Sequence, residues 1–135
     1  MTSQHAETFG TAVTCVDGRV QQPVAEWVRK NYHVQFVDMI TEPGPDKEFS
    51  AVASAVIEAG RKKVAISVER HNSSVIVIAG HHQCAANPVS AEQHKAEIKK
   101  AAQMLTNWKF PVPIIGLWVN DKWQIEEVVT IPWKK

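Results

Sequence analysis

The chain has 135 residues, 44% hydrophobic and 21% charged, with a formal net charge of +1 when histidine is neutral. That length suits one packed core without disulfide staples, and residues 1–135 are expected to form a single domain. The near-zero, dispersed charge excludes a field that would gather nucleic acid or anionic lipid. Met1 to Phe9 is polar and lacks an apolar signal core, and no run approaches the roughly 20 apolar residues of a membrane span. The expectation is a cytoplasmic protein with no nucleic-acid and no membrane partner.

In chain order, Gly10 to Cys15 reads as a short buried strand ended by Asp17-Gly18, a turn signal. Pro23 is expected to open a helix to about Tyr32, with Val24, Trp27 and Val28 on one face. Val34 to Ile40 reads as a second strand running into Glu42-Pro-Gly-Pro-Asp46, a loop. Asp46 is the expected cap of a helix that carries Phe49, Val52, Ala53, Val56 and Ile57 and stops near Gly60. Arg61 to Arg70 fits a further helix, or a strand over Val64 to Val68; helix is the reading taken. Ser74 to Ala79 is the clearest strand, with apolar side chains in succession as on a sheet centre buried on both faces. Ser90, with Gln93 as its capping-box partner, starts a long amphipathic helix to about Trp108. Ile114 to Val119 and Trp123 to Ile131 then form a hairpin through Asn120-Asp121-Lys122. Strands alternating with helices predict an α/β fold: a mainly parallel β-sheet flanked by helices, with a C-terminal antiparallel edge hairpin.

Two short motifs leave the ends of strands, where α/β sheets hold their ligands. The first is Cys15-Val-Asp17-Gly-Arg19 and the second is Gly80-His81-His82-Gln83-Cys84. His81 and Cys84 can face one point across a tight turn, and Cys15 arrives from a neighbouring strand. Two thiolates and one imidazole suit Zn2+, and three protein ligands leave the fourth tetrahedral position open, as in catalytic sites. Two thiolates cancel the charge of the ion, so a water bound there is less acidic than one held by three neutral imidazoles. Asp17 is placed to orient that water, with Arg19 holding Asp17 ionised through a bidentate contact. Alone, Cys15 reads as a buried strand cysteine, His81 as a hydrogen-bonded loop histidine, and Asp17–Arg19 as turn and surface residues. A Cys15–Cys84 disulfide is the other joint reading, disfavoured in a reducing compartment.

C-x-D-x-R followed by H-x-x-C resembles the paired signature of the β-class carbonic anhydrases, over roughly residues 9 to 120. The resemblance implies one Zn2+ per chain on Cys15, His81 and Cys84, with Asp17 and Arg19 as the catalytic dyad. It implies reversible hydration of carbon dioxide to bicarbonate by zinc-bound hydroxide, and a homodimer or higher homo-oligomer. In some relatives the motif aspartate rests on the metal until the arginine recaptures it. Other members of the fold are thought to hydrolyse carbonyl sulfide or carbon disulfide, and a non-catalytic zinc protein of the same fold is the remaining alternative.

The sequence departs from the family pattern at several points. Ala85 stands where glycine usually follows the second cysteine, and His82 where a small polar residue is usual. Asp38 to Asp46 replaces the family's Arg-Asn-Ala-Gly-Asn type segment, and the first strand begins near residue 9 without the helices that precede it in many relatives. Outside the motifs, Asp46 and Glu42 read as solvated turn residues. His5, His33, His71 and His94 read as solvent-facing or hydrogen-bonded. Trp118, Trp123 and Trp133 are assigned to the terminal strands, where they fill the core or a dimer interface.

Overall fold

A computed structural model describes residues 6–51 and 54–134. Strands β1 (Phe9–Thr14), β2 (Phe36–Thr41), β3 (Ile76–His81), β4 (Ile114–Val119) and β5 (Ile125–Ile131) form one sheet in the order β2-β1-β3-β4-β5. The pairs β2–β1, β1–β3 and β3–β4 are parallel, and β5 runs antiparallel to β4. The expected α/β architecture, a mainly parallel sheet with an antiparallel C-terminal edge, is therefore present. Every residue of β3 and β4 is buried, as their continuous apolar runs require of central strands covered on both faces.

The sheet has two differently covered faces. Helix α1 (Gly18–Tyr32) lays Val20, Val24 and Val28 against Ala12, Val77, Ala79, Ile115 and Leu117. Helices α2 (Pro45–Phe49), α3 (Ala55–Ala65) and α4 (Ala91–Leu105) cover the other face, where Phe49, Val64 and Leu105 meet Val13, Ile76 and Ile78. Because side chains alternate along a strand, Val77, Ala79 and His81 of β3 look toward α1, while Gly80 looks toward α2 and α4. Among the described residues no helix is long and apolar enough to cross a membrane.

Several boundaries differ from the sequence expectation, each for a local reason. Helix α1 starts at Gly18, not Pro23, because the Asp17 side chain caps it by accepting the Arg19 N–H. Pro23 then sits inside the helix, where it removes a single backbone donor. The helix expected from Asp46 to Gly60 is two helices. Gly44, at φ +59°, precedes α2, and Ser54 starts α3 by accepting the Ile57 N–H. Val52 and Ala53, assigned to the continuous helix, lie outside the described residues. Gly60 does not end α3: a Cβ there would come within 2.6 Å of the Phe49 ring, so this glycine permits close packing. The stretch from Arg61 is helical as read, but Ile66–Arg70 widens into a π turn. α4 ends at Leu105, and Thr106–Trp108 tightens to a 3₁₀ turn. Trp118 lies in β4, whereas Trp123 precedes β5 in the turn and Trp133 follows it, 42% exposed.

Candidate metal centre

β1 and β3 are adjacent and parallel, so their carboxyl ends deliver Cys15 and His81 to the same edge of the sheet. Gln83, at φ +56°, turns the chain sharply after His81 and brings Cys84 back beside Cys15. One ring nitrogen of His81 and the sulfurs of Cys15 and Cys84 lie within 4.8 Å of one another, and all three residues are buried. The two sulfurs are 4.0 Å apart and both cysteines are free. A disulfide needs about 2.05 Å. Two sulfurs at about 2.3 Å from a tetrahedral zinc stand about 3.8 Å apart, close to the separation seen.

The imidazole supplies the sharper test of fit. His81 Nδ1 is 2.7 Å from the His82 carbonyl oxygen, to which its N–H donates. That contact assigns the proton to Nδ1 and leaves the lone pair on Nε2. Among the described residues, His81 Nε2 is the one fully buried side-chain polar atom without a hydrogen-bond partner. Burial pushes the His81 pKa down, favouring the neutral, ligating form. Burial, and then the neighbouring Cys15, push the Cys84 thiol up. The N–H groups of Ala86 and Asn87 work the other way by facing its sulfur. A neutral imidazole, two adjacent sulfurs and an unmet lone pair together fit a divalent, thiophilic cation.

Asp17 and Arg19 sit beside this cluster at the start of α1. Arg19 Nε donates to Asp17 Oδ1 at 3.1 Å and Nη2 donates to Oδ2 at 2.7 Å, a two-pronged contact. The Arg19 side chain, with help from its backbone N–H, holds the Asp17 pKa down at about 2. The sequence expectation that Arg19 grips Asp17 bidentately is thus met in the geometry. Two further contacts were not anticipated. Arg19 Nη1 donates to Gln83 Oε1 at 3.1 Å, and its guanidinium lies 4.5 Å from the centroid of the Trp123 ring. Trp123 holds φ +58°, a costly backbone state for an aromatic residue, with its N–H donating to the Asn120 carbonyl. The left-handed backbone at Gln83 and Trp123 has no sequence signal comparable to glycine, so neither contact was legible.

A second buried cluster corrects the reading of Asp46 and settles His94 on the hydrogen-bonded of its two alternatives. Asp46, expected to be solvated, is 0% exposed, and His94 is 1% exposed. His94 Nδ1 and Asp46 Oδ2 are 2.5 Å apart, and Asn87 Nδ2 donates to Asp46 Oδ1 (3.3 Å) and Glu97 Oε1 (2.8 Å). Asp46, His94 and Glu97 also bring donor atoms within 4.8 Å of one another. Their donors are already engaged, and the Asn87 amide occupies the space between the two carboxyls. The burial of His94, though not its partner, had a signal: it falls on the inward stripe of α4 with Ile98, Ala101, Ala102 and Leu105. His71, read as solvent-facing or hydrogen-bonded, is partly exposed and bonds Asp38 at 2.7 Å; His5 lies outside the described residues.

The sequence profile of the family described as "Putative carbonic anhydrase" matches residues 5–129. The fold is similar to β-carbonic anhydrase isoform I of Trichomonas vaginalis, with a TM-score of 0.58 and 15% identity over 99% of this chain and 88% of that one. It is similar to a chain from the crystal structures of two tetrameric β-carbonic anhydrases of Sordaria macrospora, with a TM-score of 0.62 and 12% identity over 90% of this chain and 80% of that one. It is also similar to the carbonic anhydrase of Streptococcus mutans, with a TM-score of 0.57 and 18% identity over 88% and 81%. A search among curated proteins gave no match. At these identities the structural likeness speaks for the fold, and the profile, spanning most of the chain, for the lineage: the chain belongs to the β-carbonic anhydrase family.

Proposed function

We propose that this protein binds one Zn2+ per chain through Cys15, His81 and Cys84 and catalyses reversible hydration of carbon dioxide to bicarbonate. The observation that carries the reading is the buried, unpartnered Nε2 of His81 beside two unbonded sulfurs. Cys15, His81 and Cys84 would hold the ion, and the chemistry it would supply there is Lewis acidity toward a water. The chain's own residues prepare the rest. Asp17, with its pKa held near 2, remains an acceptor across the working range and orients an O–H donor without becoming an acid itself. Arg19 fixes Asp17 and is in turn fixed by Gln83 and Trp123, so the dyad is positioned before substrate arrives.

The same reading includes a reducing, cytoplasmic setting, because the site needs both thiols free. It also includes self-association, as a homodimer or higher assembly. Support comes from exposed Phe36 on edge strand β2 and from the half-buried residues along that strand. The test is a stopped-flow pH-indicator assay of carbon dioxide hydration with zinc-loaded protein. Wild type is expected to turn over, and Asp17→Asn to run about 10²-fold slower, the usual cost of a misplaced catalytic group. Equal rates at the uncatalysed background in both proteins would leave a zinc protein without this activity.

A further inference from the structure

We propose that the buried Asp46–Asn87–His94–Glu97 network is a positioning device for the Cys84 turn, setting the second sulfur where the metal needs it. The proposal rests on the reading of Cys15, His81 and Cys84 as metal ligands and adds residues that touch no metal.

Four side chains from three segments make the network: Asp46 from α2, Asn87 from the turn after Cys84, and His94 and Glu97 from α4. His94 and Glu97 are three residues apart and share one face of that helix. Asp46, Asn87 and His94 are each at most 2% exposed. Helix docking does not need such residues. Apolar side chains of similar volume often pack a helix pair just as stably, since buried polar groups lose their water. Buried hydrogen bonds provide direction, because a satisfied network has one geometry where apolar packing has several.

The direction leads to Cys84. The Asn87 side chain is held by Asp46 and Glu97. Its backbone N–H donates to the Cys84 carbonyl at 3.2 Å, tying the residue to the turn that carries the second sulfur. Moving the Asn87 side chain therefore moves the turn that places Cys84. The same carboxyl abuts the other ligand-bearing segment: a Cβ on Gly80, the residue before His81, would lie 2.5 Å from Asp46 Oδ2. Gly44 completes the fit. At φ +59° it brings the Asp38–Asp46 segment so close that a Cβ there would meet Asn87 Cβ at 3.3 Å and Ala86 Cβ at 3.4 Å. The segment that departs from the family pattern thus seats against the Cys84 turn, and Asp46 is its anchor.

The test compares wild type with Asn87→Ala, Glu97→Ala and Glu97→Gln. Zinc affinity is measured by competition with a chromophoric chelator, the sulfur-to-metal charge-transfer band is recorded with cobalt(II), and melting of the metal-free proteins is measured alongside. Asn87→Ala is expected to weaken zinc about 10- to 100-fold, the usual cost of removing support behind a ligand, and to shift the cobalt band. Glu97→Ala should do the same to a smaller degree. Glu97→Gln, whose amide oxygen still accepts from Asn87, should restore wild-type affinity and spectrum. Glu97 is only partly buried, so its two variants carry the test if Asn87→Ala does not fold. Wild-type affinity and spectrum in Glu97→Ala would overturn the proposal, as would a Glu97→Gln variant as weak as Glu97→Ala. Wild type that takes up no metal would end the metal reading and this proposal together.

Discussion

Among the described residues, two buried clusters of metal-capable side chains stand at the same end of the sheet, and they differ in what their lone pairs do. In the Asp46–Asn87–His94–Glu97 cluster the side chains bond one another. In the Cys15–His81–Cys84 cluster the sulfurs stand 4.0 Å apart and His81 Nε2 has no partner. In both, three donor atoms lie within 4.8 Å of one another, so proximity does not tell them apart. The difference is satisfaction: a network closed on itself has no coordination to offer, whereas a buried lone pair without a donor is costly unless a cation meets it.

That contrast is easiest to break in metal-free protein. His94→Leu removes one side of a fully buried hydrogen-bonded pair and leaves Asp46 without it, so chemical denaturation should show a loss of about 3 kcal/mol. His81→Leu gives up one hydrogen bond to a carbonyl and removes an already unpartnered nitrogen, so its loss should stay below about 1 kcal/mol. Equal losses would dissolve the distinction. Gly80→Ala probes the boundary between the clusters, because the new methyl meets Asp46 Oδ2; displacing that carboxyl should cost about 1–3 kcal/mol. Ser90→Ala removes only the cap of α4, which carries His94 and Glu97, and should cost about 1 kcal/mol with the site otherwise intact.

The smallest expected effect concerns pH. Asp17 has its folded pKa depressed to about 2 by Arg19, against about 3.9 in an unfolded chain. Its contribution is present above about pH 4 and fades as pH falls toward 2. The pair is solvent-accessible, so the contribution should be under about 1 kcal/mol. The stability gap between wild type and Asp17→Asn, which keeps a capping side chain, should therefore close between pH 4 and 2. A gap that widens on acidification would contradict the assignment of Arg19 as the cause.

What the sequence revealed follows from how local each signal is. The apolar runs of β3 and β4 announced central strands, and Ser90 with Gln93 announced the start of α4. The two motifs placed Cys15, Asp17, Arg19, His81 and Cys84 at strand ends because a strand followed by a turn is visible within a few residues. The Asp46–His94 pair spans 48 positions, and no local pattern reports such a contact. Asp46 looked like a helix cap in a Pro-Gly loop, a reading that local chemistry favours and tertiary packing overrode. The long helix expected through Gly60 failed for a similar reason: its apolar spacing was sound, but Ser54 starts a new helix. Gln83 and Trp123 escaped because their roles depend on left-handed backbone that only the folded turns impose.

Function at this site turns on one lone pair and two sulfurs taking up a cation. Native mass spectrometry of zinc-reconstituted wild type beside Cys84→Ser addresses this most directly. The expected result is one zinc per wild-type chain, gained with loss of the two thiol protons, and a Cys84→Ser affinity lower by more than the roughly 100-fold that outlying support residues command. Wild type that remains zinc-free, or that holds Cys15 and Cys84 as a disulfide under reducing conditions, would contradict it.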